Sequence, residues 1–151
     1  MIKASVKLSG GKGYKAIQQA QKRAMQQMAK HIDVGFYATA KYPNGEAVTN
    51  VAAQNEFGDG GIPERPFLRP GAREAMKDVK LHIKQTVDPK RAALTDTEAA
   101  QCGEIIKGKI QNEIVKVDTP PNAAATIARK GSSNPLVDTG FMRQSVTYKV
   151  T

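Results

Sequence analysis

The sequence predicts an α+β fold, with a small mixed or antiparallel sheet, helices packed on it, and long extended loops. Three observations predict it. Apolar residues alternate with polar ones near the start, after the first thirty residues and at the end; they recur at helical spacing between those stretches; and prolines and glycines gather where the patterns change over. With 151 residues and 40% apolar content, the chain fits one domain over 1–151, large enough to bury roughly 70% of its unfolded surface around one core.

The elements follow in order. Ile2, Ala4, Val6 and Leu8 alternate with Lys3, Ser5, Lys7 and Ser9 as a half-buried strand, ended by Gly10-Gly11-Lys12-Gly13. From Tyr14 to Lys30 the period changes, and Ile17, Ala20, Ala24, Met25 and Met28 share one helical face. Ile32, Val34, Phe36 and Ala38 form a second strand that runs into the turn sequence Tyr42-Pro43-Asn44-Gly45. Val48 to Phe57 reads as a short helix ended by Gly58, with Gly58-Asp59-Gly60-Gly61 as a mobile loop. Pro63, Pro66 and Pro70 remove backbone donors and push the residues before them toward extended geometry. That predicts an ordered or partner-ordered loop and arm over 58–70, with neither helix nor central strand in its proline-rich part.

Pro70 suits the first turn of the next helix, whose face is Ala72, Ala75, Met76, Val79 and Ile83 and which Asp88-Pro89 closes. Thr95 and Glu98 have capping-box spacing ahead of a long helix with Ala99, Ile106, Ile110, Ile114 and Val117 on one stripe. Gly103 and Gly108 each cost such a helix about 1 kcal/mol relative to Ala. They imply close packing against another backbone, or a helix steadied by its neighbours. A second loop follows over 118–140, and Val146, Tyr148 and Val150 alternate with polar residues as the closing strand.

Charge is distributed unevenly. Of the net +9, residues 1–45 carry eight Lys or Arg against the single acid Asp33. Such a patch, with Lys12, Lys15 and Lys22 at its centre, faces DNA, an acidic partner, or simply water. Arg129 and Lys130 beside Gly131 form a second basic loop, open to DNA phosphates or acidic side chains. No stretch reaches the roughly 18 apolar residues a membrane span needs, and the expectation is a soluble chain made in the cytoplasm. Cys102 is the only cysteine, which excludes an intrachain disulfide and a cysteine-based zinc site and points to a small buried helix residue. His31 and His82 have no Ser or Cys nucleophile signature near them, and neither metal nor cofactor is expected.

Two stretches imitate catalytic motifs. Leu136-Val137-Asp138-Thr139-Gly140 resembles the triplet of retroviral-type aspartic proteases, yet that chemistry needs paired carboxylates at strand ends in an all-β dimer. The expected role is a turn, with Asp138 bonding nearby backbone N–H groups, Thr139 beside it and Gly140 at positive φ. Gly10-Gly11-Lys12-Gly13 sits where a phosphate cradle would but is too short and lacks the rest of that motif. No enzymatic activity is expected.

Arg65, Phe67, Leu68 and Arg69 are the candidate subunit or partner contacts, because flanking prolines limit the ordering cost of docking. The alternative is that Phe67 and Leu68 enter this chain's own core. On the docking reading, polar replacements at Phe67 and Leu68 leave the fold intact and block attachment.

Several separated segments, taken together, resemble the tail-completion, neck or virion-morphogenesis proteins of tailed bacteriophages. They are Val51 to Gly58, Ile62 to Pro70, Gly103 to Ile106, Pro120 to Lys130 and Leu136 to Tyr148, with Gln54 and Ala123-Ala124-Ala125 departing from that family's pattern. The resemblance implies a non-enzymatic structural virion protein at the head–tail junction, assembled in the bacterial cytoplasm. It implies a homo-oligomeric, hexameric ring around the DNA channel, with connector or head-closure proteins and tail proteins as partners. The alternatives are a tail terminator capping the tail tube and a sequence-independent DNA-binding protein.

Overall fold

In the computed structural model, the described residues are Lys15, 17–20, 30–91 and 93–151. The strand expected at Ile2–Leu8, the Gly10–Gly13 turn, Lys12, Lys22 and most of the expected first helix lie outside them; Lys15 and residues 17–20 are helical and exposed. The elements that follow are β1 (Ile32–Gly35), α1 (Val48–Phe57), α2 (Leu68–Thr86), α3 (Asp96–Lys116), α4 (Ala124–Lys130), α5 (Phe141–Gln144) and β2 (Thr147–Val150). This is an α+β fold with a small antiparallel sheet.

The sheet joins the start of the continuous stretch 30–91 to the end of the chain. Ile32 pairs with Val150 and Gly35 with Thr147, and a further pair of backbone bonds links His31 and Thr151 at 2.8 and 2.9 Å. His31 therefore extends the ladder through its main chain. Strand β1 is shorter than the alternation to Ala38 predicted, and β2 begins only after the one-turn helix α5.

Helix α3 is the centre of the packing, with α2 on one flank and both strands on another. Its N-terminus has the predicted capping box: Thr95 Oγ1 accepts from the Glu98 N–H at 3.2 Å, and Glu98 Oε2 accepts from the Thr95 N–H at 2.9 Å. Two of the four free donors are thereby satisfied. Ala99, Ile106, Ile110 and Ile114 are buried along the predicted stripe, with Cys102 buried beside them, while Val117 stands at the C-cap and is half-buried. Each fully buried Ile is worth about 1.5–3 kcal/mol of transfer free energy.

The glycines set two close approaches. A Cβ on Gly71 of α2 would stand 2.8 Å from the Ile110 Cα, so the α2–α3 crossing needs glycine there. At Gly103 the neighbour is a side chain: a Cβ would lie 2.5 Å from Cδ2 of Tyr148, which seats the sheet on the helix. Gly108 faces nothing within 4 Å. On α2, Ala75 and Val79 are buried as expected, but Met76 is 42% exposed.

Three expectations are corrected. The proline-rich segment does enter a helix, since α2 starts at Leu68 and holds Pro70 in its first turn. First-turn residues have no intrahelical N–H bond to lose, so the proline is tolerated there. Arg129 and Lys130 lie in the last turn of α4 rather than in a loop, and Gly131 ends that helix in the left-handed conformation at φ 68°. Finally, 58–61 closes as a tight turn, with Asp59 and Ile62 exchanging backbone bonds of 3.1 and 2.8 Å.

Candidate functional site

The site is built from the end of α1. Gly58 turns the chain at φ 74°, and a Cβ there would sit 3.1 Å from the Glu64 nitrogen. The returning strap lies back along α1, where the Arg65 N–H donates to the Asn55 carbonyl at 2.7 Å. At the next residue, the Glu56 side chain points under the strap and is only 2% exposed. Its Oε2 accepts from the Phe67 and Leu68 N–H groups at 2.8 Å each, and its Oε1 from the Arg69 N–H at 3.1 Å. The N-terminus of α2 is thus capped by a carboxylate from another helix, where its own cap residue, Phe67, offers no side-chain acceptor.

Arg69 completes this cap. Its Nε donates to Glu56 Oε1 at 2.7 Å and its Nη2 to the Glu56 carbonyl at 3.0 Å and to Glu64 at 2.6 Å. The guanidinium also lies 5.1 Å from the centre of the exposed Phe57 ring. Burial pushes the Glu56 carboxyl up, but the Arg69 hydrogen bond and the three backbone N–H groups outweigh it, leaving the pKa below the usual carboxylate range.

Arg65 holds the second loop. Its Nε donates to the Pro120 carbonyl at 2.7 Å and its Nη2 to the Pro121 carbonyl at 3.1 Å, with the residue 5% exposed. Burial draws its pKa down. Lys130 acts similarly, donating to the Asn134 and Pro135 carbonyls at 3.2 and 3.3 Å. Burial lowers its pKa first; Asp138 opposes that, while Arg65 and Arg129 reinforce it. Asn134 locks the bend, accepting from Leu136 and Val137 at 2.9 and 2.8 Å and donating to the Val115 carbonyl of α3 at 2.8 Å.

Between strap and loop lies an open groove of about 510 Å3, lined by Tyr42, Asn55, Arg65, Asn122, Lys130 and Asp138 among others. Tyr42 packs on Phe141 at 5.2 Å between ring centres, and burial, then Glu46 and Asp138, push its phenol pKa up. The groove presents fixed amide, guanidinium and ammonium donors beside two exposed carboxylates, Glu46 and Asp138. That arrangement suits binding a polar segment.

Of the residues singled out from sequence, Arg65, Arg129, Lys130 and Asp138 meet at this groove, and Gly58 makes the turn beside it. Phe67 does not reach outward: it is fully buried, edge-on to Phe36 at 6.0 Å, and Leu68 packs against the same core. The arm is a strap docked on its own chain, because Glu56 and Arg65 satisfy its backbone and neighbours from inside. Arg69 is committed to Glu56 and Glu64. Gly140 has the expected positive φ of 78°, but the side chain that bonds backbone at this turn is Thr139, whose Oγ1 accepts from the Phe141 N–H at 3.4 Å. No such bond involves Asp138 among the described residues.

Sequence reasoning missed Glu56, Asn122 and Asn134. The signal for Glu56 was present: it falls four residues after Ala52 and eight after Val48, an acid on the buried face of a helix. A carboxylate there needs donors brought to it. No family model matches the chain, and no curated protein and no solved structure matches it.

Proposed function

We propose that this chain is a structural virion protein of a tailed phage, one subunit of a homo-oligomeric, hexameric ring that joins head connector to tail. The observation that carries the reading is a convergence. Three of the segments that resemble neck and tail-completion proteins, 51–58, 62–70 and 120–130, are cross-locked by Glu56 and Arg65, and a fourth, 136–148, lines the same groove as Arg65 through Leu136, Asp138 and Met142. Resemblance spread over distant segments is expected of a shared framework when those segments support one another, as these do.

In this reading the groove receives a segment of the neighbouring subunit or ring, replacing the outward arm that the prolines suggested. Its donors are held by backbone and by burial, so a partner segment meets a surface already ordered, which limits the entropy lost on docking. Arg129, exposed at the rim, supplies the cation for an acidic partner side chain. No cofactor takes part, and catalysis is not the task.

Cryo-electron microscopy of intact virions carrying the chain tests this. Density as a ring between head connector and tail is the expected result; a ring seated on the last tail-tube layer reassigns it as a terminator, and absence from the particle overturns the structural reading. Replacing Arg129 with Glu should leave the melting curve unchanged and give heads and tails that fail to join.

A further inference from the structure

Helix α2 sorts its charges by face. Arg73, Lys77, Lys80 and Lys84 are all exposed, and their spacing of four, three and four residues puts them in one row. The row lies opposite Gly71, Ala75 and Val79, the face buried against α3. The acids of α2 are turned another way. Asp78 takes Lys109 of α3 at 2.8 Å. Glu74 adds to the upward pull on the Lys109 and Lys116 ammonium groups, whose main causes are hydrogen bonds to Asp78 and Glu113 respectively.

No carboxylate lies within 4.0 Å of any of the four cations among the described residues. The residues outside the description contain no Asp or Glu that could supply one. Four unpaired like charges thus share a row about 16 Å long. A solvated face usually interleaves both signs, and here Asp78 has been drawn off to Lys109 of α3.

We infer that the outer face of α2 is a binding surface for the phosphate backbone of duplex DNA, read without regard to sequence. The row spans about five base-pair rises. Three of its four cations are lysines, which bind phosphate as point charges without the fixed fork geometry of Arg. An acidic protein partner fits less well, because the exposed apolar side chains Met76 and Leu81 fall on opposite sides of the row and cannot form the joined apolar centre of a protein interface. The inference stands apart from the head–tail reading, since it rests on α2 alone.

The test is binding of the full chain to a 20-base-pair duplex, measured as a function of salt. Four phosphate contacts give a slope of log K against log salt of about −3.6, and the triple variant Lys77→Gln, Lys80→Gln, Lys84→Gln should be shallower by about 2.7. A control variant, Lys41→Gln, Arg143→Gln, Lys149→Gln, removes the same charge from other exposed positions and should keep the parental slope. Circular dichroism melts of both variants should coincide with the parent. Equal losses in the two variants would mean binding by net charge alone, and an unchanged slope in the α2 variant would place the contact elsewhere; either overturns the inference. Competition by polyglutamate as effective as duplex DNA at matched charge also overturns it, in favour of an acidic protein partner.

Discussion

The Glu56 carboxylate and the Arg69 guanidinium meet at 2.7 Å, and the same carboxylate holds the backbone of the helix turn on which Arg69 rides. Charge pair and helix cap are therefore one interaction. Replacing Glu56 with Ala leaves the Phe67 N–H buried without its acceptor and uncaps the first turn of α2, at a cost of about 1–3 kcal/mol. Glu56→Gln keeps an acceptor of the same shape and should lose less. Urea denaturation of the two variants checks the order.

Acid should loosen the same joint. Glu56 has its pKa lowered from the ordinary 4.5, and Glu98, held by Arg91 and by the Thr95 N–H, is lowered to about 2. A depressed carboxylate contributes stability that is present above the unfolded-state value and lost as pH falls through the folded-state value. The loss thus begins near pH 4.5 and, for Glu98, continues to about pH 2. Melting temperatures measured from pH 7 down to 2 should fall steeply in that window, and less steeply in Glu56→Gln.

The three helix glycines should respond differently to Ala. Gly71→Ala drives a methyl group into the Ile110 backbone, which cannot yield without parting the helices, and should cost about 1–3 kcal/mol. Gly103→Ala meets the Tyr148 ring, which can shift only by lifting the sheet, and should also destabilise. Gly108→Ala meets nothing and should gain about 0.5–1 kcal/mol. Thermal melts of the three single variants settle the ranking.

Phe67 belongs to the fold, so the variant that the docking reading would leave intact should not be intact. Phe67→Ala removes a fully buried ring and should cost about 3–5 kcal/mol. Polar replacement should cost at least as much. Chemical denaturation distinguishes this from an arm, whose truncation would leave the midpoint unmoved.

Arg65→Met should free the second loop while sparing the core. Its two carbonyl partners, on Pro120 and Pro121, are main-chain groups, and charged hydrogen bonds contribute about 1.5–3 kcal/mol each at most. Faster cleavage near Thr119–Ala123 under limited proteolysis, with the α3 amides still protected from hydrogen exchange, is the expected pattern.

What the sequence revealed was mostly local. Helix α3 and its capping box were legible because Thr95, Glu98 and the Ile106–Ile110–Ile114 stripe signal within a few residues of one another. Helix α1 was bounded at Val48 and Phe57 because Gly58 ends it. The start of α2 was misread because proline rules see only neighbours, while the acceptor that caps it sits on α1. Helix α4 departs from the expected loop: Ala124 and Ala125 in its first turn and Gly131 after it favour a short helix, while the prolines before it argue for extended chain. At the site, Arg65, Arg129, Lys130 and Asp138 were each visible as chemistry. Their meeting depends on backbone contacts between distant segments, which no spacing in the sequence encodes.

The grip of Arg65 on two successive carbonyls also determines how the second loop can change. An anchor that engages the chain's path is indifferent to the identity of side chains such as the exposed Thr119 and Ala123, so these can be exchanged freely while the loop keeps its place. An insertion or deletion there would shift the carbonyls out of reach. The loop should therefore diversify by substitution and hold its length, giving the groove one wall whose chemistry is adjustable and whose position is not.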